Sequence, residues 1–79
     1  MSPSLGRIVL VCIGVVDDEP IFKPAIVTRV WGETCINVTV YADDSDESLL
    51  LASFGTVKSR WTSVTQGDGV GQWSWPPRA

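Results

Sequence analysis

The sequence predicts a small all-β domain, a barrel of four to five short antiparallel strands. Three observations carry this reading. The apolar residues come in short runs rich in Val and Ile, with no helical period. Glycine-rich or acidic turns separate those runs at short intervals. The chain has 79 residues, enough for one domain spanning 1–79, with no internal repeat and no stretch that reads as a linker.

Taken in order, residues 6–16 read as a first strand and Asp17-Asp18-Glu19-Pro20 as a charged turn. Residues 24–31 form a second strand and 35–41 a third, joined by the three-residue loop Gly32-Glu33-Thr34. Residues 43–48 form an acidic loop. Residues 49–54 fit either a strand or one turn of helix, and Gly55 breaks them off. A fourth strand covers 57–64, a glycine-rich loop 67–71, and a short last strand 72–75 that Pro76-Pro77 ends. This pattern suits a small barrel of the SH3-like kind.

A domain of this size buries only about 60% of its unfolded surface and needs outside help to be stable. The two cysteines, Cys12 and Cys35, lie inside apolar strand-like runs and read as buried reduced thiols in a cytosolic protein. With no histidine and two cysteines, a closed zinc site lacks its ligands, so no metal and no cofactor is expected. By elimination, a homo-oligomer is the expected source of added stability.

The net charge of −3 disfavours nucleic acid as a partner. The Met1-Ser2-Pro3-Ser4 start lacks a basic segment, and the apolar run 8–16 is too short to span a bilayer, so a soluble protein with no membrane partner is expected. Asn37-Val38-Thr39 matches the glycosylation pattern by chance, inside a strand. Catalysis is not expected. The commonest general base is missing, no base serves either cysteine, and Gly67-Asp68-Gly69-Val70-Gly71 lacks the Lys-Ser or Lys-Thr pair of a phosphate loop. The acids of 43–47 lack the spacing of a calcium loop.

Side chains alternate across a strand, so the hairpin of the second and third strands divides by parity. A three-residue loop sets Trp31 opposite Cys35, Arg29 opposite Asn37, Val27 opposite Thr39 and Ala25 opposite Tyr41. The other face pairs Val30 with Ile36, Thr28 with Val38 and Ile26 with Val40; being apolar and β-branched, it is assigned to the core. The first face is then outward and carries no Lys or Glu. Its Trp, Tyr and Arg are the residue types enriched at interfaces. Either the chain's own C-terminal segment covers it, or a subunit or ligand does; Ala25, Val27, Asn37 and Thr39 are the candidates for an oligomer interface.

Four tryptophans and six basic residues are present, and Arg29, Arg60 and Arg78 each lie close to a Trp. A guanidinium beside an indole can hold a phosphate and a stacked base together, although an Arg lying across a Trp for packing reads the same way. Arg29, Trp31, Tyr41, Trp61, Trp73, Trp75 and Arg78 are therefore the candidate ligand-binding residues, with one or two of the indoles reserved as core anchors.

The segments Gly6-Arg7-Ile8-Val9, Pro24-Ala25-Ile26-Val27-Thr28-Arg29-Val30-Trp31, Arg60-Trp61-Thr62-Ser63-Val64 and Gly71-Gln72-Trp73-Ser74-Trp75-Pro76-Pro77-Arg78 follow in that order. Together they resemble a family of short bacteriophage and prophage proteins. The Pro-Ala-Ile-Val strand and the closing Trp-x-Trp-Pro are the most specific parts, while 10–20 and 43–57 contribute little. The resemblance implies an SH3-like barrel in the host bacterial cytoplasm and assigns no activity to any residue. Small phage proteins often counter host immunity, some as homo-oligomers that trap a cyclic nucleotide or cyclic ADP-ribose signal without cleaving it. By that analogy the expected function is a nucleotide-binding sponge; the alternative is a protein-interaction module, an inhibitor of a host protein or a minor virion component.

Overall fold

The computed structural model describes residues 2–77; Arg78, one of the candidate ligand-binding residues, lies outside the described residues. The chain forms strands β1 (Ile8–Val16), β2 (Glu19–Val30) and β3 (Cys35–Val40), a 3₁₀ turn (Asp44–Asp46), a helix α1 (Glu47–Phe54), and strands β4 (Arg60–Thr65) and β5 (Trp73–Ser74). All the strands join one antiparallel sheet in the order β4-β3-β2-β1-β5. The two ends of that sheet meet. Gln66, just past β4, bridges to Trp73, and Gly67 N–H donates to the Trp73 carbonyl at 2.9 Å. The result is the small, barrel-like all-β fold that the sequence predicts, with one short helix.

β2 begins five residues before the predicted start at 24, because the turn from β1 takes only two residues. Val16 pairs with Glu19, leaving Asp17 and Asp18 at φ 50° and 65°. Two successive positive φ values make the turn whose twist suits a tight hairpin, and Asp tolerates that conformation. Pro20 and Pro24 hide this stretch from a sequence reading, since proline cannot donate to a ladder.

A bulge corrects the predicted pairing of β2 with β3. Arg29 does pair with Asn37, and Val30 with Ile36. Upstream, Val27 pairs with Val38 and Ala25 with Val40, in place of Thr39 and Tyr41. Thr28 is the extra residue, and one inserted residue turns every earlier side chain to the opposite face. The core assignment of Ile36, Val38 and Val40 stands. On β2, however, Ala25 at 0% exposure and Val27 at 1% point inward, so neither is available to an oligomer interface.

The core is Val9, Val11 and Ile13 of β1, Ala25 and Val27, the three inward residues of β3, Leu50, Val64 and Trp73. Segment 49–54, left open by the sequence, is the body of α1. Asp43 caps the 3₁₀ turn that leads into it, accepting from Ser45 N–H at 2.8 Å and from the Ser45 hydroxyl, while Asp43 N–H donates to Asp46 Oδ2 at 3.0 Å. Lys23 Nζ reaches the same Asp46 oxygen at 2.8 Å, tying the turn to β2. Gly55 closes the helix in the left-handed conformation, φ 70°, donating to the Leu51 carbonyl. The helix rests on β1 where Gly14 leaves room. A Cβ there would lie 2.5 Å from Leu49 Cδ1 and 2.7 Å from Ser53 Oγ.

Candidate functional site

The six candidate ligand-binding residues that the structure describes do not converge on one site. Trp73 is fully buried, its Nε1–H donating to the Thr34 carbonyl at 3.0 Å, and it is a core residue and no ligand contact. Trp75 stands edge-on to it at 5.2 Å, half-buried against the core, with the Arg7 guanidinium 5.4 Å from its ring centre. Tyr41 leaves β3 beside Pro24, to whose carbonyl its N–H donates at 2.9 Å. That is the far end of β2 from Trp31, roughly 20 Å away at about 3.3 Å per residue.

Arg29 and Trp31 do come together. The guanidinium lies 4.1 Å from the indole centre, and Trp31 Nε1–H donates to Asn37 Oδ1 at 2.8 Å. The same oxygen accepts Ser63 N–H at 2.8 Å. Ser63, at φ 53°, belongs to a bulge where β4 carries an extra residue between Val64 and Trp61, opposite Asn37. Asn37, taken from the sequence as an interface residue, thus fills a gap in its own sheet. Trp31 remains 54% exposed just past the end of β2. Thr39 lies outward between Ile26 and Arg60, half-buried.

One concave surface belongs to Trp61. α1 ends at Gly55, and the chain returns through 56–59 into β4, which sets Phe54 against Trp61 with ring centres 4.8 Å apart and planes tilted by 56°. Trp61 Nε1–H is held by the Lys58 carbonyl at 2.9 Å, and Lys58 N–H turns back to Thr56 Oγ1. Around the ring pair opens a cleft of about 280 Å³, bordered by Phe54, Lys58, Arg60, Trp61, Val64 and Gly71. Among the described residues no carboxylate lies within ion-pair distance of Lys58 or Arg60; the ion pair formed is Lys23–Asp46. A second hollow, on the other side of Lys58, presents Asp43, Asp44 and Glu47 and carries the opposite charge. The cleft therefore offers aromatic faces and two cations, Arg60 and a Lys58 that also borders the acidic hollow, the chemistry for an anion joined to a flat ring.

Of this cleft the sequence reading held Trp61 as a site residue and Arg60 as its basic neighbour. It missed Phe54 and Lys58. Phe54 lay in the segment whose structure was open, so nothing placed its ring; Lys58 was visible only as the cation two residues before Arg60. No helix among the described residues is long and apolar enough to cross a membrane. Comparison with protein families, with curated proteins and with solved structures finds no match to this chain.

Proposed function

We propose that this chain is a non-enzymatic binding protein and that the cleft between α1 and β4 takes an anionic, aromatic ligand of nucleotide type. The observation that carries this reading is the meeting of Lys58 and Arg60 with the Phe54–Trp61 pair in one hollow, in a chain whose net charge is −3. A base would stack on Trp61, and the phosphate would sit on the two cations. The resemblance to small phage proteins suggests which nucleotides: cyclic dinucleotides or cyclic ADP-ribose isomers, the signals of host antiviral defence, sequestered by a homo-oligomer in the host cytoplasm.

Calorimetry of the full chain against a panel of those signals is the test. At least one gives saturable heat, and Trp61→Ala weakens it by about 5- to 150-fold, the worth of one stacked base at roughly 1–3 kcal/mol. Replacing Lys58 and Arg60 together by Ala weakens it at least as much, while Trp31→Ala leaves it within about twofold. Absence of heat across the whole panel removes the proposal.

One observation favours a second reading, a protein-interaction module. The Arg29–Trp31 stack stands exposed at the end of β2, and these two residue types dominate binding energy between proteins. Recovery of one stoichiometric host protein by the wild-type chain, and its loss with Trp31→Ala, would select this reading over the first.

A further inference from the structure

We infer that the cleft between α1 and β4 selects nucleotides whose phosphates stand singly, as monoesters or isolated diesters, over those that carry a pyrophosphate. This selectivity deepens the nucleotide reading of the cleft and rests on it. Its sources are the fixed ring pair, the placing of the two cations and the acidic surface beyond them.

The aromatic end takes one base. Phe54 and Trp61 stand with ring centres 4.8 Å apart, little more than the ~3.5–4.0 Å of carbon–carbon contact, so no base enters between them. The indole is fixed, its Nε1–H donating to the Lys58 carbonyl at 2.9 Å. Gly71 leaves the Phe54 ring its place, since a Cβ there would lie 3.3 Å from Phe54 Cε1. A base therefore lies on the outer side of the pair. The cleft of about 280 Å³ stands just below the roughly 300–1,000 Å³ of pockets for drug-sized ligands, which suits one nucleotide unit.

The cations serve one phosphate. Lys58 and Arg60 are two residues apart, so their Cα atoms stand at most about 7 Å from each other. Both side chains reach the same group, the guanidinium pairing two oxygens and the ammonium acting as a point charge. Among the described residues no other Lys or Arg borders the cleft, so a second, adjoining phosphate finds no cation of its own.

Beyond Lys58 the surface is acidic. That lysine also borders the second hollow, which presents Asp43, Asp44 and Glu47. Asp44 and Glu47 are exposed, and among the described residues neither is ion-paired, the pair nearby being Lys23–Asp46. With the base on the rings and the first phosphate on Lys58 and Arg60, a pyrophosphate carries its second group away from the rings, towards these carboxylates. Salt screens charge over about 8 Å under physiological conditions, so carboxylates that share a lysine with the cleft still act on that group. Repulsion without a compensating cation rejects the wrong ligand more effectively than contacts to the right one select it. Of the signals proposed above, cyclic dinucleotides keep each phosphate as an isolated diester and are accepted, whereas cyclic ADP-ribose isomers carry a pyrophosphate and are disfavoured.

Calorimetry on the full chain, with divalent cations chelated, tests this with two pairs of ligands: AMP against ADP, and cyclic di-AMP against cyclic ADP-ribose. The single-phosphate member of each pair binds at least about fivefold more tightly. The double variant Asp44→Asn with Glu47→Gln narrows that ratio at least about threefold, by strengthening the pyrophosphate ligand and leaving the other within about twofold. Both changes keep side-chain shape at exposed positions. Should the variant not fold, the wild-type ratio decides: it shrinks as salt rises from roughly 50 to 300 mM, because the repulsion is screened. Where AMP and ADP give no heat, the second pair decides. A pyrophosphate ligand that binds as tightly as its counterpart, with heat that Trp61→Ala abolishes, overturns the selectivity and leaves the nucleotide reading standing. A ratio that the folded double variant leaves unchanged overturns it too. Absence of heat with all four ligands and the rest of the nucleotide panel removes the nucleotide reading and the selectivity with it.

Discussion

Asn37 makes the tightest connection between side-chain chemistry and architecture in this chain. Its one carbonyl oxygen accepts from Ser63 N–H in the β4 bulge and from the Trp31 indole, so it repairs the ladder on one side and holds the exposed platform on the other. Asn37→Ala leaves the Ser63 amide short of a partner and frees the indole. Thermal melts should show a loss of about 0.5–1.5 kcal/mol, the net worth of a hydrogen bond whose exposed donors can turn to water. Trp73→Ala should cost more, about 3–5 kcal/mol, because it empties the centre of the core, and a domain of this size has little more than that to lose. A Trp73→Ala chain that melts like wild type would show that the indole is not the core anchor. Among the tryptophans, residue type alone could not sort these roles: an indole suits a core, a cleft and an exposed corner equally well.

At the scale of elements, three bulges shape the barrel: at Ile13 in β1, at Thr28 in β2 and across Thr62 and Ser63 in β4. Each adds a residue to one strand and reverses the faces beyond it. Strand existence, by contrast, follows from the β-branched runs, and β3 alternates without interruption, so its inward residues were readable. The seat of α1 on β1 depends on the missing side chain at Gly14. Gly14→Ala places a methyl against the Leu49 and Ser53 side chains, which must shift to admit it. The expected loss is about 1–3 kcal/mol in chemical denaturation, and Leu49→Ala, which removes the nearest obstacle, should recover part of it in the double variant. Additive losses would mean the helix seats elsewhere.

The whole molecule responds to pH through the ion pair between β2 and the 3₁₀ turn and through the cap beside it. The hydrogen bond to Asp46 raises the Lys23 ammonium above its ordinary 10.5, against a smaller opposing effect of burial. Its contribution is complete below 10.5 and is lost as pH rises through the raised value. Asp43 is held below its ordinary 3.8, first by the Ser45 hydroxyl and then by the Ser45 amide. Its contribution is present above 3.8 and is lost as pH falls through the lowered value. No histidine titrates between them. The melting temperature should therefore be nearly flat from about pH 5 to 9 and fall on both flanks. Lys23→Met should shrink the alkaline fall. A melting temperature that drops steeply near neutrality would contradict this assignment.

By itself the chain determined its class and its strands. Short runs of Val and Ile between glycine and acidic turns can bury their side chains only as sheet, and a lone small domain must curl that sheet to make a core. The absence of histidine is legible in the same way, and it removes imidazole from any site the chain could build. Only the tertiary structure decided which face of β2 is inside, that the 49–54 segment is helical, and which rings and cations share a hollow. Those outcomes turn on single inserted residues and on contacts between segments distant in sequence. A bulge is set by competition between two whole strands for the core, and Phe54 meets Trp61 because α1 is seated on β1 through Gly14.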